Sequence, residues 1–462
     1  MRARITAGLL AFGVLSAAMA LGQPVPASGT ESPLGLADLE RMAIEKNPTL
    51  VQASADIDAA RGRARQAGLL PKPVVGFSAE ELPLRSGTGR GKEGVFLEQT
   101  VPLGGKLKSS RAIFEKEVGE AEANVEAQRL RVVNSVRSLY YEAVVAARRV
   151  QVRERLAQLT DEAVGVSRQL FNVGAADRPD VLESEIEARE TRLTLVAARN
   201  QQYHTWRSLA VMVGDPDMTL RPLAGTLDTS PPELDRDEAV AALLRDSPQV
   251  RRAKVQVERA AAIVDRADRE RFPDLFLRAG ADRDRERLES SGRPVGWEAS
   301  VQAGISLPLF NRNQGDRAAA RANLSRARAE VQRVELALRG RLSGVFEAYL
   351  TSLRMADEYG QEILPRAEQA YKLYLDKFRE MAAAYPQVLI AQRTLFQTSE
   401  KYLNSLEEAH LAAVQIQGLL LVDGLDAPPA PGQAESGLRA SEVPGAIRSG
   451  ELPIAVRPPG RE

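Results

Sequence analysis

The stretch from Trp297 to Leu324 reads WEASVQAGISLPLFNRNQGDRAAARANL, and its period changes halfway along. Up to Leu307 it alternates: Trp297, Ala299, Val301, Ala303, Ile305 and Leu307 are apolar, while Glu298, Ser300, Gln302, Gly304 and Ser306 are polar or small. Period two describes a strand with one greasy face and one wet face. After Pro308 and the turn-rich FNRNQG the text becomes rich in alanine and arginine and reads as helix. The same change occurs earlier, where VFLEQTVPLGGKLKSSRAIFEKEV passes from alternation through Pro102 and the pair Gly104 and Gly105 into a helical run. A strand that feeds directly into a helix, twice in one chain, is the feature the rest of the sequence has to accommodate.

The two occurrences belong to a longer repeat. Leu36 to Gly225 has a counterpart in Leu234 to Leu425, joined by DTSPPELD. Asn47-Pro48 answers Ser247-Pro248, Leu70-Pro71 answers Phe272-Pro273, and Val101-Pro102-Leu103 answers Leu307-Pro308-Leu309. Phe171 with Pro179-Asp180-Val181-Leu182 answers Phe378 with Pro386-Gln387-Val388-Leu389 at identical internal spacing. The expected organisation is a signal peptide at 1–20, a linker at 21–35, a first repeat at 36–227, a linker at 228–235, a second repeat at 236–425 and a disordered C-terminal tail at 426–462. The first repeat is expected to hold strands at about 73–83 and 94–102 and long helices at about 106–172 and 178–213. The second is expected to hold strands at about 273–283 and 296–307 and helices at about 316–380 and 385–422.

A helix from Lys106 to Phe171 would be roughly 100 Å long at 1.5 Å per residue, more than any globular core needs. Within it Val132, Val136, Leu139, Ala143, Ala146 and Val150 form one stripe, and Val133, Tyr140, Val144 and Ala147 a second. Two stripes imply helical neighbours on both sides. The last helix places Val388, Leu395, Tyr402, Ala409 and Ile416 at sevens, a packing device by default.

Composition narrows the class. The 462 residues hold 62 basic and 62 acidic side chains, a balance that argues against nucleic acid as a partner. Cysteine is absent, which excludes thiol catalysis, thiolate metal sites and disulfides. The start, MRARITAGLLAFGVLSAAMALGQ, has Arg2 and Arg4, a short apolar core and small residues ending at Ala20, the pattern of a cleavable export signal. Gln23 stands near where a lipid-modified cysteine would be needed, so no lipid anchor is expected. No later run is apolar over the roughly 20 residues a membrane helix requires. Any crossing of a membrane must use strands closed into a barrel, and four strands cannot close one, since the smallest bacterial barrels have about eight. Three copies would supply twelve.

The only histidines, His204 and His410, sit on predicted helices without a second ligand at helical spacing, and Gly87 to Gly94 lies in a hairpin loop instead of a phosphate cradle. No enzyme activity, cofactor or bound metal is expected.

The strand ends PLGGK (Pro102 to Lys106) and PLFNRNQG (Pro308 to Gly315), with the hairpin text YPQVLIAQRTLFQTSEKYLNSLEEAHLA (Tyr385 to Ala412), resemble the TolC-like outer-membrane efflux channels, within them the cation-efflux (Czc- and Cus-like) type. The resemblance spans about Leu36 to Leu425. It implies an α+β fold of mostly long helices and a duplicated helix-strand-strand-helix unit. It further implies a homotrimer whose twelve-stranded barrel in outer-membrane lipid continues into a periplasmic helical barrel. A periplasmic adaptor and an inner-membrane pump, of the resistance-nodulation-division type, would complete a tripartite machine. Pro102, Gly104, Gly105, Pro308 and Gly315 would form the strand-to-helix seam. Gly174, Pro179, Val181, Leu182, Pro386, Val388 and Leu389 would form helix-hairpin tips for the adaptor. In such channels an Asp-Val-Leu-Asp pattern in the second half narrows the periplasmic mouth; here Gln387-Val388-Leu389-Ile390 stands there, and Asp180-Val181-Leu182-Glu183 in the first half. Two readings of Asp180 and Glu183 stand: helix capping and dipole compensation, or a cation-attracting constriction. A periplasmic adaptor or a coiled-coil scaffold without a channel is the other class the helices allow.

Overall fold

The computed structural model describes residues 33–80, 91–225, 231–287, 294–427 and 429. The expected signal peptide, residues 21–32 of the first linker, the tips of both strand hairpins, residues 226–230 of the junction between repeats and nearly all of the tail from 426 lie outside the described residues.

The first repeat consists of α1 (Leu36–Lys46), α2 (Pro48–Ala67), β1 (Val74–Glu80), β2 (Lys92–Pro102), α3 (Lys106–Asn172) and α4 (Arg178–Val213). The second consists of α5 (Arg236–Asp246), α6 (Pro248–Arg269), β3 (Asp274–Arg287), β4 (Pro294–Ile305), α7 (Gln314–Glu358), a π-helical turn (Tyr359–Ile363), α8 (Leu364–Arg379) and α9 (Tyr385–Gln417). The fold is α+β, dominated by long helices, with one helix-strand-strand-helix unit used twice.

Local chemistry sets the repeated boundaries. Pro48 and Pro248 occupy the first positions of α2 and α6, where a missing N–H costs nothing. The Asn47 side chain caps α2 by accepting from the Thr49 N–H at 3.0 Å, a bond that Ser247 does not make for α6. Both long hairpins turn through the same pair of backbone bonds. Gly174 donates to the Phe171 carbonyl and Ala175 to that of Leu170, and Met381 and Ala382 do the same to Phe378 and Lys377. The left-handed position in this turn is Gly174 (φ 76°) in one half and Met381 (φ 61°) in the other.

Where the spacing predicts one helix over 316–380, the structure interrupts it. Pro365 has no N–H to continue the ladder, and the Leu364 N–H reaches back five residues to the Tyr359 carbonyl. Gly360 in that turn lies under the Tyr402 ring of α9, which an added Cβ would meet at 2.8 Å. The last helix also stops at Gln417, short of the expected 422. Leu419 and Leu420 take left-handed backbone (φ 55° and 60°) and turn the chain back onto α3, where the Asn134 amide donates to the Gly418 and Leu421 carbonyls.

The four strands form one antiparallel sheet in the order β1-β2-β3-β4. Between the strands and the middle of the molecule, α2, α3, α6 and α7 pack side by side in that order; beyond it α3 continues with α4, α8 and α9. Two related cores mark the middle. One gathers α1, α3 and α4 around Trp206, whose indole donates to the Met218 carbonyl at 3.1 Å; the other gathers α5, α6, α7 and α9 around Leu338, Phe346 and Tyr349. A third core, at the far hairpin tips, joins Leu170 of α3 to Tyr371, Phe378, Tyr385 and Val388. Among the described residues no helix is long and apolar enough to cross a membrane.

Candidate functional site

The sheet has two chemically opposite faces, and its register carries each across all four strands. One row runs Val75, Leu97, Ala279, Val301; the next runs Phe77, Val95, Ala281, Ala299. These side chains share a face with Trp297, Ala303 and Ile305. They are not covered: Val301 is 82% exposed, Val75 76% and Trp297 74%. Polar side chains enter this face toward its ends, at Gln99 and at the paired Glu93 and Arg283, and apolar side chains this open across its middle mark a surface made for a nonaqueous neighbour.

The opposite face is polar. Across it run Val74, Glu98, Arg278, Gln302, then Gly76, Phe96, Gly280, Ser300, then Ser78, Gly94, Asp282, Glu298. Phe96, the one aromatic in the middle of this face, lies over two glycines and beneath a cation. An added Cβ on Gly76 would come within 2.4 Å of its ring, and the Arg278 guanidinium stacks at 3.8 Å. Lys92 bridges Glu298 at 3.0 Å and Asp284 at 3.3 Å on the same side. β1 and β4 each have one edge without a partner strand among the described residues.

The seam between sheet and helix is locked by the last turn of α6. Gly104 and Gly105 both have left-handed backbone (φ 69° and 75°), and Gly105 caps α3. Lys106 is buried and bonds Asp274 at 2.8 Å and Glu270 at 3.1 Å, while Arg269 donates to the Gly104 carbonyl at 3.0 Å. Burial pushes the Glu270 carboxyl up, but the hydrogen bond and charge of Arg266, joined by Lys106, outweigh it and hold the group below the usual carboxylate range. In the second half the left-handed residue is Asn313 (φ 58°), whose amide donates to the Ala267 carbonyl at 3.2 Å; Arg317 pairs with Asp268 next to it. Gly315, expected to make this turn, sits instead in the first turn of α7 in open space. Asn tolerates the left-handed region because its short polar side chain bonds locally, so the turn did not need glycine. Pro102 ends β2, and Pro308 follows β4.

At the hairpin tips the expected contact residues divide by burial. Val181, Val388 and Leu389 are buried, Val388 completely, and Val388 and Leu389 pack in the tip core with Tyr385. Gly174, Pro179, Leu182 and Pro386 are exposed, and Val173, Met381 and Ile390, which the motif reading passed over, are open apolar side chains beside them. Asp180 accepts from the Asp177 N–H at 3.4 Å in a capping box at the start of α4. Glu183 is exposed one turn before Glu187, which bonds Arg393 of α9 at 3.0 Å, and the charges of both carboxylates are felt at Arg393. Gln387 is exposed in the first turn of α9. Further ties cross from α3 to α9: Arg149 pairs with Glu400 and Glu407, and Arg153 with Glu400. His204 is exposed, while His410 is buried with its ring stacked on Tyr141 at 4.4 Å. Among the described residues no cluster of side chains could hold a metal ion.

Tyr371 in the tip core has a buried hydroxyl with no hydrogen-bond partner among the described residues, and burial, helped by the Glu162 charge, pushes its ionisation up to about 12. Phe at this position keeps the shape and removes the orphan group. Tyr371→Phe is expected to stabilise the hairpins by about 1 kcal/mol. A phenol whose folded pKa exceeds its ordinary 10 contributes stability that is intact below about pH 10 and lost as pH rises toward 12. Thermal melts at pH 8 and pH 11 should therefore show Tyr371→Phe above the parent at both, with the larger gap at pH 11.

The family model described as "Outer membrane efflux protein" matches residues 39–215 and 239–420, one match in each repeat. The chain is 26% identical over 401 residues to the cobalt-zinc-cadmium resistance protein CzcC of Cupriavidus metallidurans, covering 86% of this chain and 92% of that one. It is 24% identical over 301 residues to the nickel-cobalt-cadmium resistance protein NccC of Alcaligenes xylosoxydans xylosoxydans, covering 64% and 66%. Among solved structures, CusC superimposes with a TM-score of 0.73 at 16% identity, covering 84% of this chain and 92% of that one. The outer membrane protein VceC from Vibrio cholerae superimposes with a TM-score of 0.68 at 21% identity, covering 85% and 97%.

Proposed function

The chain belongs to the outer membrane efflux protein family, and on that premise we propose that three copies close a twelve-stranded barrel in the outer membrane and continue it as a helical tunnel across the periplasm. The observation that carries the proposal is the sheet: two free strand edges, one exposed apolar face and one polar face, on the same strands that feed the long helices. Strands cannot stand in lipid with open edges, so β4 of one copy must meet β1 of the next. The apolar rows then face lipid, and the rows with Arg278, Gln302, Asp282 and Glu298 face a water-filled lumen.

An adaptor or a soluble scaffold would have no use for that apolar face. In the efflux reading the exposed tip residues, Met381 and Ile390 with Gly174, Pro179, Leu182 and Pro386, meet a periplasmic adaptor, and an inner-membrane pump of the resistance-nodulation-division type supplies cargo that the channel conducts passively. Metal cations are the favoured cargo because the match covering 86% of the chain is to a cobalt-zinc-cadmium resistance protein.

Purified chain reconstituted in planar bilayers should give discrete conductance steps and resist carbonate extraction from outer membranes. Absence of both would end the channel reading. Cells lacking the chain should lose resistance to cobalt, zinc or cadmium; unchanged metal resistance with new sensitivity to organic solvents would reassign the cargo. For Asp180 and Glu183 the two readings separate by charge. If they form a constriction, Asp180→Asn with Glu183→Gln lowers the preference for cations in bilayers; if they serve the cap and the band facing Arg393, conductance is unchanged and only stability falls, by about 0.5–2 kcal/mol.

A further inference from the structure

The chain leaves α9 along a built path. Past the left-handed turn, Gly424 donates its N–H to the Ser135 hydroxyl at 2.9 Å, and the Gln128 amide donates to the carbonyls of Gly424 at 2.9 Å and Asp426 at 3.3 Å. The Asn124 amide then donates to the Pro429 carbonyl at 3.0 Å. The partners on α3 step from 135 to 124, so the segment runs along α3 toward the sheet, and the beginning of the expected tail is held to the helix wall.

Pro429 arrives at the rim of a groove of about 470 Å³ that lies across α6 between α3 and α7. Its floor includes Ala253, Ala260 and Ile263, and its walls are basic: Arg131 from α3, Arg252 and Arg259 from α6, Arg326 and Arg333 from α7, against the single carboxylate Glu330. Glu330 is already paired with Arg333 at a carboxyl held low by that bond. The Nε of Arg252 and that of Arg259 are buried without an acceptor among the described residues, and the Arg259 guanidinium reaches Glu120 at 4.0 Å. Buried guanidinium donors without acceptors are costly, and a carboxylate is the group that satisfies them.

We propose that the groove is the seat of the chain's own C-terminal segment, which crosses α6 from Pro429 with Glu435 among the arginines. The reach fits. From α3 over α6 to α7 is two helix spacings, about 16–20 Å, and the six residues from Pro429 to Glu435 extend about 20 Å. The sequence beyond, ESGLRASEV from Glu435 to Val443, adds a second acid at Glu442, which with Glu435 outnumbers the one cation Arg439, and apolar Leu438 and Val443 for the alanine floor. A lipid headgroup is excluded by distance: Asn124 and Arg131 lie about 27–38 Å down α3 from the seam, at 1.5 Å per residue. The seat does not depend on the chain acting as a channel.

The absence of cysteine makes the test direct. In the full-length chain Ser436→Cys with Gln256→Cys, on α6 in the groove, should form an intrachain disulfide at least tenfold faster than Ser436→Cys with Gln201→Cys, on the exposed face of α4. Adding Arg252→Glu and Arg333→Glu should abolish that preference. Maleimide labelling of Gln256→Cys alone should speed up at least fivefold when the chain ends at Pro429. Equal cross-linking of both pairs, disulfides only between chains, or unchanged labelling would overturn the proposal. Retention of the full-length chain on isolated cell-wall sacculi, lost with Arg252→Glu and Arg333→Glu, would overturn it in favour of an anionic wall polymer.

Discussion

Val301→Arg is expected to reduce the trimer recovered in the outer-membrane fraction by more than tenfold, while Gln302→Arg leaves it within about twofold. The two positions are neighbours on β4, and each stands opposite a residue of β3 in the same unbroken register. They differ only in the face they present. Val301 ends the row that runs from Val75 through Leu97 and Ala279, is 82% exposed, and lies midway between Trp297 and Ile305, where the lipid belt is thickest in this reading. A cation at the centre of a lipid-facing barrel strand costs about 2–4 kcal/mol in each copy. With a factor of ten for about every 1.4 kcal/mol, a single copy already loses tenfold or more. Gln302 ends the row of Val74, Glu98 and Arg278, where water solvates a new cation and screens it from Arg278 directly across on β3, and where Glu98 lies on the strand beyond. Equal loss from both substitutions, or from neither, would mean that the exposed apolar face does not meet lipid. Heat-modifiable trimer bands from membranes of cells expressing each variant would measure it.

The face assignment was legible in the sequence because alternation is a property of backbone geometry alone. Trp297, Val301 and Ile305 can point to only one side of an extended chain, whatever it packs against. The duplication was legible for the same kind of reason, since the prolines at 48 and 248 and at 179 and 386 punctuate helices by a missing N–H. What was not legible depends on depth and on partners distant in sequence. Val181, Val388 and Leu389 stand in the tip motif and were expected at a contact surface, but all three are buried, Val388 and Leu389 in one core with Tyr385, and a motif does not state which way a helix is rotated. The same rotation brings Met381 and Ile390 to the surface. The π-helical turn had a visible mark in Pro365, yet a proline near the start of a helix turn and one inside a long helix read alike until the Tyr402 ring over Gly360 is known. The ties that fix the seams come from α6, more than 150 residues from Gly104, and nothing local to PLGGK announces Arg269 or Phe272.

That distant neighbour sets the second large effect. Gly104→Ala is expected to destabilise the trimer by about 2–5 kcal/mol, whereas Gly315→Ala, at the other seam, is expected to be neutral or stabilising by up to about 1 kcal/mol. Gly104 has φ 69°, a conformation that costs an L-residue about 1–2 kcal/mol. It also lies against Phe272, the residue before the proline that opens β3, and a Cβ would fall 2.4 Å from the ring carbon Cγ and 2.5 Å from Cβ. The ring cannot swing away from a clash at its own root, so either Phe272 or the Gly104 backbone must shift, an overpacking cost of about 1–3 kcal/mol. A shift of the backbone takes the Gly104 carbonyl from Arg269 and disturbs Lys106 between Glu270 and Asp274, the contacts that tie the start of α3 to the second repeat. Gly315 has helical backbone and no atom within 4 Å of a Cβ, so alanine there adds only helix propensity. A double-mutant cycle divides the cost: Phe272→Gly removes both the ring and the Cβ that an alanine at 104 would strike, so with it in place Gly104→Ala should lose the steric part of its cost and retain the conformational part. Melting temperatures of the four trimers give the coupling. If Phe272→Gly rescues nothing, the strain at Gly104 is conformational alone; if Gly315→Ala proves as damaging as Gly104→Ala, the two seams are not built as the structure places them.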